Sequence, residues 1–225
     1  MLDVVFLLLS YAVLIFVTMP VHEFAHAYSA YKLGDTTAKW NGRLSLNPLK
    51  HLDMFGTLMM VLFGFGYARP VPVNPNNFRN PKRGMALTAL AGPVSNLLMA
   101  ALALVLFRVV CLVIGVDMRD GGFYVNAQNE TLFHYAFLIL VNVFAGINLS
   151  LAVFNLLPIP PLDGSRLFEA VLPNRWVYAM ERYQQYFLIG LMAAIFLGAL
   201  DVPLALLRRG FGFVMCTLLG MPNVF

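Results

Sequence analysis

His22-Glu23-Phe24-Ala25-His26 closes an apolar run, Val4 to Val21, that contains no charged residue. On a helix the two histidines stand at i and i+4. They project from one face and can bind one metal ion. Glu23, beside the first histidine, can reach a water on that metal and take its proton. A His-Glu-x-x-His pattern can arise by chance. Inside an apolar helix it gains weight, because ionisable groups in a membrane are costly and usually functional. The competing reading is a pair of interior histidines satisfied by hydrogen bonds.

The rest of the composition agrees with a membrane setting. The chain has 225 residues, 60% hydrophobic and 12% charged, with mean hydropathy +0.76. A soluble domain is nearer half apolar and a quarter charged. Lipid forces backbone groups to bond internally, so most of the chain should be helical. The apolar runs are continuous instead of alternating, which argues against a closed barrel. The length fits a single integral-membrane domain over residues 1–225, with its core at about 2–170, and leaves no room for a sizeable soluble domain. The net charge of +4 falls in short loops and reads as topology, with no nucleic-acid partner. Cys111 and Cys216 sit in apolar surroundings and read as small buried hydrophobes. Met1-Leu2-Asp3 lacks the basic leader of a secretory signal, so the first apolar stretch reads as a retained helix.

Working outward, Leu2 to Tyr31 is long enough to span a bilayer core of ~30 Å. Pro20, two residues before His22, should kink it. Two basic loops follow: 32–50, with Lys32, Lys39, Arg43 and Lys50 against Asp35 alone, and 68–83, with Arg69, Arg79, Lys82 and Arg83 and no acid. Both belong on the cytoplasmic side. Leu52 to Gly66, between them, should enter the membrane and return. In the second loop Val71 and Val73 alternate with prolines. This predicts a small β-hairpin or extended membrane-associated segment around 68–80, where a substrate strand could pair with an exposed edge. Gly84 to Gly115 leads out, Val116 to Glu130 is an outer loop, Thr131 to Leu162 returns, and Tyr183 to Leu207 is a last apolar run. The fold class is an all-α polytopic membrane protein of about five to six transmembrane or re-entrant helices. No internal repeat is evident, so an inverted-repeat transporter is not indicated.

A catalytic zinc usually takes three protein ligands and leaves a fourth position for water. His22 and His26 supply two. Topology brings Asp163, in a proline-broken bend after Thr131 to Leu162, to the same membrane face, and makes it the best third ligand. His51 is on that side too and competes; it could instead contact substrate or shield the site. His134 and Asp201 fall toward the other face.

The chain resembles the site-2 protease family of intramembrane zinc metalloproteases, in its short prokaryotic forms without PDZ or CBS domains. The residues that carry the resemblance are His22 to His26, Gly92-Pro93-Val94-Ser95-Asn96, and Asn155 to Gly164, with the run Gly42 to His51 in support. Several members of that family have a membrane helix before the histidine helix; this chain starts with the histidine helix. The resemblance implies that His22, His26 and Asp163 bind one catalytic zinc. It implies that Glu23 is the general base and that Asn155 hydrogen-bonds the oxyanion of the tetrahedral intermediate. His51, Asn96, Val71 and Val73 are candidate substrate or accessory positions. The expected activity is hydrolysis of peptide bonds in or near transmembrane segments of membrane proteins. The expected setting is a multi-pass protein of the cell membrane with its site near the cytoplasmic face. A homodimer is compatible with the sequence. The alternatives are a membrane metallohydrolase of lipids or small peptides and a non-proteolytic metal-binding membrane protein.

Overall fold

The computed structural model describes residues 2–63, 66–119, 122–124 and 132–225. The chain is built from helices: α1 (Leu2–Val13), a π-helical turn (Leu14–Thr18), α2 (Met19–Lys32), a short α3 (Thr37–Trp40), α4 (Met54–Phe63), α5 (Pro81–Ile114), α6 (Leu132–Asn155), α7 (Asp163–Val171), α8 (Asn174–Arg182), α9 (Gln184–Phe196) and α10 (Asp201–Leu218). Among the described residues three helices are long and apolar enough to cross a membrane: Leu8–Lys32, Pro81–Ile114 and Ala136–Asn155. Gln184–Phe196 and Asp201–Leu218 make a fourth if the pair, bent by 84°, is one broken span.

The chain divides into two compact units, residues 1–96 with 154–193, and residues 97–153 with 194–225. The second is an apolar core. Leu104, Phe107 and Cys111 of α5 pack with Leu138, Val141 and Ala145 of α6 and with Cys216 of α10. Both cysteines are buried and free, as small hydrophobes. The C-terminal Phe225 covers Gly212, where a Cβ would strike its ring.

The first unit is different, because its interior is polar. Asp35, Arg43, His51 and Asn96 are buried there along with His22 and His26. Burying such groups costs free energy unless each finds a partner, and the loops supply most of them. Asp35 accepts hydrogen bonds from the Thr37 amide (3.0 Å), the Thr37 hydroxyl (2.5 Å), the Asn74 amide (2.8 Å) and the Asn77 side chain (2.6 Å). These donors hold its carboxyl below the usual range although burial pushes it the other way. Arg43 Nη2 donates to the carbonyls of Arg69 (2.7 Å) and Pro70 (2.9 Å). His51 Nε2 donates to Ser45 O (2.6 Å), and the His51 carbonyl accepts from Arg69 N (2.8 Å). Side chains of the first basic loop thus tie down the backbone of the second.

That pattern leaves no β-hairpin around 68–80, and of the two expected forms only the extended segment is found. Residues 68–74 run without regular structure into a 3-10 turn at Pro75–Asn77. Pro70, Pro72 and Pro75 lack the N–H a ladder needs, and the carbonyls of Arg69 and Pro70 are taken by a guanidinium. The strand pair found among the described residues lies elsewhere, Asp117–Arg119 against Gly122–Tyr124. Helix α4 has 10 residues, about 15 Å of helix, half of what a bilayer core requires. The chain after it folds back, since a Cβ on Gly56 would strike Tyr67 and one on Gly66 would strike Gly56 and Met60.

Candidate metal centre

The histidine helix is irregular just before the motif. Pro20 has no N–H to donate to the turn before it. Upstream, Leu14–Thr18 widens to a π turn, and Met19 N–H bonds Leu14 O. Helix α2 then continues through the buried Pro20. Expected as a kink, the disturbance takes the form of a π turn, a feature that recurs beside functional sites. His22 and His26 follow on one face. Their rings meet edge to face, with centroids 4.6 Å apart and planes at 86°.

Asp163 reaches them from a distant part of the chain. Helix α6 ends at Asn155, residues 156–162 turn through Pro158, Pro160 and Pro161, and α7 starts on Asp163. Ser165 closes that first turn, its hydroxyl donating to Leu162 O (2.8 Å). Gly164 lies against the carbonyls of Leu156 and Leu157, where a Cβ would collide. A glycine there lets α7 begin directly against the end of α6.

Three donor atoms converge. His22 Nε2 and His26 Nε2 are 3.0 Å apart, and Asp163 Oδ2 is 3.2 Å from each. Tetrahedral zinc with ligands at about 2.0–2.1 Å separates neighbouring donors by about 3.3 Å, so this triangle fits the ion closely. The hydrogen bonding agrees. His26 Nδ1 lies 2.8 Å from Thr88 O and as a donor there leaves Nε2 its lone pair, the arrangement usual for a metal-bound imidazole. Helix α5 forms the wall: a Cβ on Gly92 would run into His26 Nε2 and both imidazole rings. The site is therefore shaped by an atom that glycine lacks. Among the described residues, His22, His26 and Asp163 are the group of side chains able to hold a metal.

Residues 112–198, a stretch that includes Asn155 and Asp163, match Peptidase family M50. The protein named "Putative zinc metalloprotease YwhC" of Bacillus subtilis is 45% identical over 167 residues, covering 74% of this chain and 71% of that protein. "Putative zinc metalloprotease Rip2" of Mycolicibacterium smegmatis is 31% identical over 154 residues, covering 66% of this chain and 52% of its own length. Its namesake in Mycobacterium tuberculosis H37Rv is 29% identical over 181 residues, covering 78% and 62%. The chain belongs to peptidase family M50. No solved structure matches it.

In this M50 chain the other candidate residues fall as follows. Glu23 is half-buried next to His22. It is near enough for its charge to act on Arg43, whose guanidinium is pushed below its usual range by burial first and by Arg69 second. Asn155 is the last residue of α6 and half-buried. Asn96 is fully buried, one turn beyond Gly92 on α5, with neither side-chain polar atom hydrogen-bonded. His51 is engaged in the loop network and stands outside the donor triangle. Val71 and Val73 are half-buried on the extended segment. His134 and Asp201 belong to the second unit. In the sequence Gly92 and Gly164 have a place in the motifs but no role, and neither Thr88 nor the Arg43 and Asp35 staples are marked. The Gly92-Pro93 pair inside an apolar helix was the one signal available for any of them.

Proposed function

We propose that this chain is an intramembrane zinc metalloprotease that cleaves peptide bonds in or near transmembrane segments of membrane proteins. The observation that carries the reading is the triangle of His22 Nε2, His26 Nε2 and Asp163 Oδ2 with Glu23 beside it. His22, His26 and Asp163 would hold one zinc. Bound zinc lowers the pKa of water to about 7 and polarises a carbonyl. Glu23, with an exposed edge, takes the proton of the attacking water and returns it to the leaving amine. Asn155 donates to the oxyanion that forms as the carbonyl is attacked, a contribution of ~3–4 kcal/mol at a comparable site. A substrate helix must unwind first, because helical amides are hydrogen-bonded and covered. The unladdered segment 68–74, with Val71 and Val73, is the candidate to receive it as an extended strand. Asn96 and His51 are accessory positions.

The protein is a multi-pass resident of the cell membrane, a single domain of about five to six spanning or re-entrant helices including the short α4. The basic loops 32–50 and 68–83 lie in the cytoplasm by the positive-inside rule, which puts the site near that face, where water arrives. A homodimer is compatible with this arrangement. The test is Glu23→Gln in purified protein given a model transmembrane substrate. It should keep its zinc and lose turnover; cleavage at the wild-type rate would exclude Glu23 as the base.

A further inference from the structure

Helix α8 follows the helix that starts at Asp163, and its surface carries exposed aromatic rings beside two arginines. Trp176, Met180 and Tyr183 stand at i, i+4 and i+7 and form one stripe. Trp176 and Tyr183 are 54% and 49% exposed, Met180 between them is half-buried, and Tyr186 at the start of α9 is 71% exposed. Arg175 and Arg182, at i and i+7 of each other, share a second face about 100° away. Each leans over an aromatic ring: Arg175 is 5.8 Å from the Trp176 ring and Arg182 is 5.9 Å from the Tyr183 ring. Neither arginine has a carboxylate partner among the described residues. The acid of this helix, Glu181, faces Arg166 of α7 instead (3.7 Å), and Arg166 also pairs with Glu169 (2.8 Å).

The position of α8 along the fold fixes its depth. Helix α9 begins two residues after α8, and its Tyr186, Phe187, Leu188 and Ile189 are exposed, as expected where a chain enters lipid. Lys82, in the first turn of the α5 span, donates to Leu172 O (2.9 Å) just before α8. The helix therefore lies level with the ends of two apolar segments. Tryptophan and tyrosine concentrate at that level. A helix with an aromatic stripe and arginines beside it is suited to lie in the plane of the interface.

We propose that α8 lies in the headgroup layer of the membrane and that Arg175 and Arg182 bind anionic phospholipid headgroups. The aromatic stripe seats the helix at the acyl boundary. The guanidiniums, already oriented over the rings, meet the phosphates. Arg166 then ties this anchored helix to α7, so the corner that carries Asp163 is held at the membrane surface. The proposal rests on the membrane setting and is independent of proteolysis.

The chain has two tryptophans, so Trp40→Phe leaves Trp176 as the single reporter. That protein is reconstituted into phosphatidylcholine vesicles in which either the phosphatidylcholine or added phosphatidylglycerol carries bromine near the headgroup. Flotation with the vesicles is read separately and reports the spans. Trp176 should be quenched, and phosphatidylglycerol should be preferred at the site by about fivefold per engaged arginine. Arg175→Gln with Arg182→Gln should bring the preference close to one, and Arg175→Lys with Arg182→Lys should keep most of it. A floating protein whose Trp176 is quenched by neither lipid overturns the proposal. So does equal quenching by both lipids, or a preference that survives the glutamine pair.

Discussion

Replacing Gly92 with alanine tests the metal centre through a residue that carries no chemistry of its own. The added Cβ would stand 2.5 Å from His22 Cε1 and from His26 Cε1, and closer still to His26 Nε2. Carbon atoms in contact prefer about 3.5–4.0 Å, so a displacement of about 1 Å is required. The His26 ring cannot yield freely, because Nδ1 is held on Thr88 O. Either α2 and α5 move apart or the donor triangle opens. Overpacking of this kind costs about 1–3 kcal/mol. Alanine regains up to about 1 kcal/mol over glycine within a helix. The net loss of stability should thus be small, at most about 2 kcal/mol. Metal binding has no such offset. Disturbing a ligand's support typically lowers affinity 10–100-fold, and here two ligands shift together, so we expect the upper end of that range. Zinc affinity is read by chelator competition on purified protein, with thermal unfolding alongside. Gly190→Ala is the control, since nothing lies within 4 Å of a Cβ at that position; it should leave zinc binding unchanged. Wild-type zinc affinity in Gly92→Ala would refute the idea that the missing Cβ makes room for the site.

Asp163→Asn keeps the shape of the third ligand and removes its charge, so zinc content after dialysis should fall; unchanged content would move the third position to His51. Arg43→Met removes the clamp on the Arg69 and Pro70 carbonyls, and limited proteolysis within 68–74 should accelerate at least severalfold while the helices stay resistant. For Asp35 the folded carboxyl is held below its usual range, so its contribution to loop docking is present above the unfolded pKa and lost as pH falls through the folded value. Exchange of the Asn74 amide should therefore stay slow into mild acid in the wild type. Asp35→Asn should raise that exchange already at neutral pH and remove the acid-side loss.

What could be read from the letters was whatever depended on side-chain type and spacing along one element. His22 and His26 announce themselves by an i, i+4 step in an apolar helix. Asp163 could be placed at their level because the basic loops fix which ends of the apolar runs share a side. The features that stayed hidden depend on how separate segments approach. Thr88 acts through its carbonyl, which every residue has, so no letter marks it. Gly92 matters only because α5 passes so close to α2. The valine and proline alternation at 70–73 imitates a strand, but strands are made by backbone partners. Here the partner of the backbone is Arg43, 26 positions before Arg69.

The same contrast explains why a chain that is 60% hydrophobic buries Asp35, Arg43 and His51 in one region. Each of those groups would be costly alone. Asp35 and Arg43 instead satisfy backbone atoms that an extended, proline-rich loop cannot pair by itself, while His51 pins Ser45 O within the facing loop. A loop unable to form a ladder needs side chains to hold it, and those side chains must come from the facing loop. The result is a polar layer fixed without regular structure, inside the unit that contains the donor triangle. A hydrolytic site requires water and a place for an extended peptide, whereas a hydrophobic core offers neither. Neutralising the staples one at a time should therefore loosen the loops while leaving the His22–His26–Asp163 geometry, which rests on α2, α5 and α7, able to bind zinc. An Arg43→Met protein that lost zinc along with loop protection would show instead that the polar layer and the metal centre form one cooperative structure.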